Sequence, residues 1–192
     1  MRHLSIFVLA LVTTAALAQA PTRIRGTITA LQGDVLSVKS RDGKDLQIQL
    51  APDAQVATTK KASAADFKPG SYVGVTSVKG PDGRLVAHRV HALGPQVPQM
   101  HAPWDSMPDS MMTNATLEST AQVASGTELM LKNKDGEQKI LVTPRTEYYT
   151  FMPGTRADLK PGEWIFTSAA QKDGKLVTQR VTVSKDGIRP PQ

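Results

Sequence analysis

The string DFKPGSYVGV at residues 66–75 returns, little altered, as DLKPGEWIFT at residues 158–167. Three further blocks match in the same order. GDVLSVKSRDG (33–43) lies over GTELMLKNKDG (126–136), Pro52 over Pro144, and PDGRLVAHRV (81–90) over KDGKLVTQRV (172–181). The offset between copies drifts only from 93 to 91 residues. Such self-similarity constrains the fold more than any single motif, because whatever unit one copy builds the other must build too. The chain reads as a duplication, with units at 22–93 and 113–185 joined by a linker at 94–112 and followed by a tail at 186–192.

Within each unit apolar residues recur at even spacing. Ile24 and Ile28, Leu36 and Val38, and Leu46, Ile48 and Leu50 do so in the first copy. Leu129 and Leu131, then Ile140 and Val142, repeat the pattern in the second. A period of two marks half-buried strands. Asp-Gly pairs at 42–43, 82–83, 135–136 and 173–174 separate such runs, and Asp-Gly tolerates the positive φ of a tight hairpin. Ser63–Phe67 and Thr155–Leu159 suit a single helical turn, with Asp66 and Asp158 three residues after a Ser or Thr. Pro69-Gly70 and Pro161-Gly162 stop that turn and start the next strand. The expected fold is all-β: two tandem small OB-like five-stranded β-barrels, each with one short helical turn. A flatter β-sandwich per unit is the rival.

The first twenty residues, MRHLSIFVLALVTTAALAQA, have a basic start, an apolar run and the small-x-small ending Ala18-Gln19-Ala20. They read as a signal peptide cleaved after Ala20, which places the mature chain in the bacterial periplasm or outside the cell. The run is short for a membrane span, and no other segment is apolar for long enough to make one. There is no cysteine, which excludes disulfides, thiolate metal sites and cysteine nucleophiles. The net charge of +6 comes from scattered Lys and Arg rather than a basic block, so no nucleic-acid footprint is expected.

The linker breaks the duplication. It carries Pro95, Pro98, Pro103 and Pro108, so extended backbone without regular structure is expected. It also holds Met100, His101, Met107, Met111 and Met112, a thioether and imidazole set suited to copper(I), with Trp104 able to lie over a cation. The competing reading is that these side chains pack the linker against the two units. His88 and His91, three apart on a strand, should point to opposite faces and are expected to face solvent.

Each unit resembles a family of secreted bacterial domains of unknown function. The family pattern is a Gly-x-Ile/Val opening, an Asp-Gly turn, a "dLkpGd-x-V" block and a final "dG-x-L-x-A-x-x-V". Gly26-Thr27-Ile28, Asp42-Gly43, Asp66 to Gly70 with Val73, and Asp82 to Val90 carry it here. The second unit departs where Asn114 to Leu117 lack the glycine and Thr178 replaces the alanine. The stretch HAPWDSMPDSMMTN (101–114) resembles the connector of two-unit members. The resemblance implies an OB-like barrel, export and no established activity, and some relatives carry labels linking them to metal transport.

No GxSxG, HExxH or GxGxxG is present, so no catalytic residue is assigned and no enzyme is expected. The leading expectation is a non-enzymatic binding or scaffold protein taking an envelope protein, peptide or glycan. Tyr72, Tyr148, Tyr149 and Trp164 are its candidate ligand-binding aromatics, since OB-like barrels bind through aromatics and positive charge. Copper handling through the linker is the alternative.

Overall fold

A computed structural model describes residues 21–190; the expected signal peptide lies outside them. The chain is all-β. The first copy forms β1 (Thr22–Gln32), β2 (Val35–Ser40), β3 (Asp45–Ala62), a 3-10 turn (Ala64–Asp66), β4 (Tyr72–Lys79) and β5 (Leu85–Ala92). The connector supplies β6 (Met100–Trp104). The second copy forms β7 (Ser110–Val123), β8 (Gly126–Asn133), β9 (Gly136–Val142), β10 (Glu147–Pro153), a 3-10 turn (Arg156–Asp158), β11 (Trp164–Lys172) and β12 (Lys175–Val183). The long β3 is thus matched by two strands, β9 and β10. The break between those two, Thr143 to Thr146, is held by Thr143 N–H donating to Thr146 Oγ1.

The Asp-Gly turns form as the sequence predicts, with Gly43 and Gly83 at φ +84 and +83, where a side chain would be strained. Both helical turns also form where expected. In each, the carboxylate does the capping: Ser63 N–H and Oγ–H donate to Asp66 Oδ2 at 2.7 and 3.0 Å, and Thr155 does the same to Asp158.

The pairing between hairpins does not follow the repeat. β1 pairs with β2 and with β11, β2 with β3, β3 with β12, and β12 with β11, which closes a five-stranded barrel. Three of its strands come from the first copy and two from the second. A second ring joins β4 and β5 to β7, β8 and β9, closed by the pairs Leu85–Ile140 and Val86–Leu141. The cores are mixed in the same way. Ile28, Leu36 and Ile48 pack with Ile165, Val181 and Val183, while Val73, Val75 and Val90 pack with Leu117, Leu131 and Ile140. Units at 22–93 and 113–185 are therefore not separate barrels, because the copies exchange their last hairpins.

The exchange passes through β3. β3 runs eighteen residues, with a bulge between Leu50 and Gln55 where its partner β12 advances only from Thr178 to Arg180. It leaves its own barrel before the 3-10 turn and crosses β10 antiparallel, Ala57 to Ala62 facing Pro153 to Tyr148. β4 therefore starts beside β7. Burying a side chain such as Ile165, Val181 or Val183 contributes roughly 1.5–3 kcal/mol relative to leaving it in water.

The connector, expected to lack regular structure, is a hairpin arm. β6 adds to the outer edge of the first half of β7, Met100 facing Asn114 and Trp104 facing Ser110. Extended, proline-bearing chain fits there, because an edge strand tolerates a residue such as Pro103 without an N–H.

Candidate functional site

From Arg23 to Ile28, ahead of a bulge between Ile28 and Ala30, β1 alternates between core and exterior. Ile24 and Ile28 point inward, so Arg23 and Arg25 stand on the outer face of the barrel. The exchange then sets β11 beside them, with Arg25 opposite Phe166 and Thr27 opposite Trp164. Arg41, in the β2–β3 turn, is drawn to the same place by its backbone N–H, which donates to Arg25 O at 2.7 Å. Arg89 arrives from β5 of the second ring and Arg189 from the C-terminal segment. Arg25, Arg41, Arg89 and Arg189, with Ser106, Trp164 and Phe166, line a cleft of ≈ 240 Å³.

Guanidiniums and aromatic rings are interleaved there. Arg23 lies 3.9 Å over Trp104, Arg25 5.1 Å from Phe166 and Arg189 4.2 Å over Trp164. A guanidinium stacked on a ring keeps its in-plane N–H donors free for a ligand. Carboxylates are scarce. Arg89 pairs with Glu147 at 3.2 Å, and Asp105 takes both terminal nitrogens of Arg25 at 2.7 and 3.0 Å. Arg41 reaches only the backbone carbonyls of Asp105 and Ser106, and among the described residues Arg41 and Arg189 have no carboxylate partner. Burial pushes the Asp105 carboxyl up, yet the Arg25 hydrogen bonds and charge outweigh this and hold it below the usual carboxylate range.

The turn between β6 and β7 closes over this wall. Ser110, buried, donates to the carbonyls of Trp104 and Met107, and Asp109 adopts φ +53 to complete the reversal. Arg25 is only 8% exposed, and its Nε has no hydrogen-bond partner; the buried Trp104 Nε1 and Ser106 Oγ have none either.

A larger groove of ≈ 500 Å³ runs along β3 and β10 past Phe151, Met152, Arg156 and Arg180. Its guanidiniums are already committed, Arg156 to Asp34 and Arg180 to Gln55. None of the buried unpartnered side-chain atoms among the described residues lies on it. The smaller cleft is the better candidate.

Of the four aromatics proposed from sequence, Trp164 alone lines that cleft. Tyr72 donates to Val97 O at 2.8 Å and ties down the connector. Tyr148 packs against the second core and on Phe67, with ring centres 5.7 Å apart. Tyr149 is buried and donates to Glu147; burial, reinforced by that carboxylate, raises its hydroxyl to about 12. The connector ligands do not converge either. Register puts Met100 and Met112 on one face of the β6–β7 hairpin and His101 and Met111 on the other. Met107 sits in the turn, and His101 Nδ1 is 2.9 Å from Thr113 Oγ1. The cation over Trp104 is Arg23.

His91 is not solvent-facing. Register between β4 and β5 shifts at His88, and this turns His91 onto Gly74, 4% exposed and edge-on to Phe151 at 5.9 Å. A Cβ on Gly74 would stand 2.5 Å from His91 Nε2, so only glycine leaves room for the ring. Burial, with a smaller contribution from Arg89, lowers the imidazole to about 4.

Sequence reasoning passed over the arginines because they are dispersed: 23, 25, 41, 89 and 189 share no motif. The single local signal was the alternation in Arg23-Ile24-Arg25, which puts two cations on one strand face. No protein-family model, characterised protein or solved structure matches this chain.

Proposed function

We propose that the chain is a non-enzymatic binding or scaffold protein of the bacterial envelope, built as two OB-like barrels with exchanged hairpins, whose ligand docks in the arginine-lined cleft. The observation that supports this is the convergence of Arg25, Arg41, Arg89, Arg189, Trp164 and Phe166 from both copies and the C-terminal segment. Positive donors backed by aromatic faces are the usual way such barrels hold an extended polar ligand. Copper handling by the connector has less support, since the hairpin divides its methionines and His101 between two faces.

The molecule carries its own reporter. Of its two tryptophans, Trp164 lines the cleft and stacks on Arg189, while Trp104 stacks on Arg23 beside the Arg25–Asp105 pair. Titration with envelope glycan fragments and peptides, followed by tryptophan fluorescence, should find a ligand that shifts the emission. Arg189→Gln should weaken that response at least several-fold without lowering Tm. A ligand that binds with emission unchanged and is indifferent to Arg189→Gln would place the site elsewhere.

A further inference from the structure

Resting on that reading of the cleft, we propose that the group it captures is a tetrahedral oxyanion, a phosphate or sulfate ester, which takes the place of Asp105 on Arg25. The ion pair is lopsided. Arg25 is 8% exposed, whereas the Asp105 side chain is 47% exposed at the tip of a turn. Among the described residues no side chain other than Arg25 hydrogen-bonds the Asp105 carboxylate, with Arg23 a further 3.7 Å contact. Stripping the anion from a buried guanidinium is strongly unfavourable, while exchanging one anion for another is not. Asp105 is thus a carboxylate that can swing to water once another anion is present.

An unpartnered atom bears on what that anion should be. Ser106 Oγ, on the cleft wall, can donate and has no acceptor among the described residues. A carboxylate with two oxygens is used up by the terminal nitrogens of Arg25, as Asp105 shows. A phosphate or sulfate ester brings a third charged oxygen, and with it further acceptor sites for the leftover donor. Arg41 and Arg189, which lack carboxylate partners among the described residues, supply the extra positive charge such a group calls for. Aromatic faces at Trp164 and Phe166 would bear on whatever the ester is attached to.

The test titrates the mature protein with inorganic phosphate, sulfate and acetate at constant ionic strength, following tryptophan fluorescence. Phosphate and sulfate should shift the emission and acetate should not. Asp105→Asn removes the internal competitor and should tighten phosphate about tenfold, within the usual range of coupling between sites. Arg189→Gln, at the rim and away from the turn, should lose phosphate while leaving Tm unchanged. Equal binding of acetate would overturn the tetrahedral preference. Unchanged or weaker phosphate binding in Asp105→Asn, with Tm retained, would overturn the displacement. If no oxyanion binds but another ligand shifts the emission in an Arg189-dependent way, this proposal fails and the cleft reading survives.

Discussion

His91 shows how much one side chain can weigh on the molecule. Buried against Phe151 and over Gly74, it is held neutral to about pH 4. The unfolded chain takes up the proton near the ordinary 6.5, the folded chain only near about 4. Stability is therefore complete above pH 6.5 and drains away as the pH falls between those two values. The full loss is about 3 kcal/mol, following from the size of the shift. Chemical denaturation across that window should show the decline, and His91→Leu should flatten it. An unchanged slope in the variant would mean that other groups carry the acid sensitivity. The sequence shows two histidines three apart and regular alternation then puts them on opposite faces. The register shift at His88 is what spoils that reasoning, and no residue type there announces a bulge.

Elements were far more legible. The hairpins, the Asp-Gly reversals and both capped turns are local features, each encoded within a few adjacent residues. Asp66 and Asp158 illustrate this, since each carboxylate is fixed by its own Ser63 or Thr155 and is thereby held below its ordinary range. Because these carboxyls titrate lower in the folded chain, their help is present above the unfolded pKa and lost as the pH falls through the folded one. Asp66→Asn should lower Tm at neutral pH and lose that effect in strong acid. A deficit that persists unchanged in strong acid would show that charge is not what caps the turn. The connector was harder to read. Its prolines argue against regular structure, yet the edge that β7 offers is a tertiary feature, and only that edge turns Met100 to Trp104 into a strand.

At the scale of the molecule, the repeat revealed what is built but not which copy completes which barrel. The two copies share the backbone pattern at these strands, so the repeat alone leaves β1 free to meet β4 or β11, although Phe166 stands where β4 has Gly74. The choice shows in β3, which leaves its own barrel before the 3-10 turn and goes on to pair with β10. That choice also makes the site, because Arg25 and Phe166 become neighbours only through the exchange. Both the fold and the proposed ligand cleft therefore rest on one pairing. Interstrand NOEs in the labelled mature protein read it directly. The exchanged molecule predicts contacts of Ile24 with Thr167 and of Gly26 with Ile165. Contacts of Ile24 with Val75, the residue equivalent to Thr167 in its own copy, would show two unexchanged barrels and contradict the account.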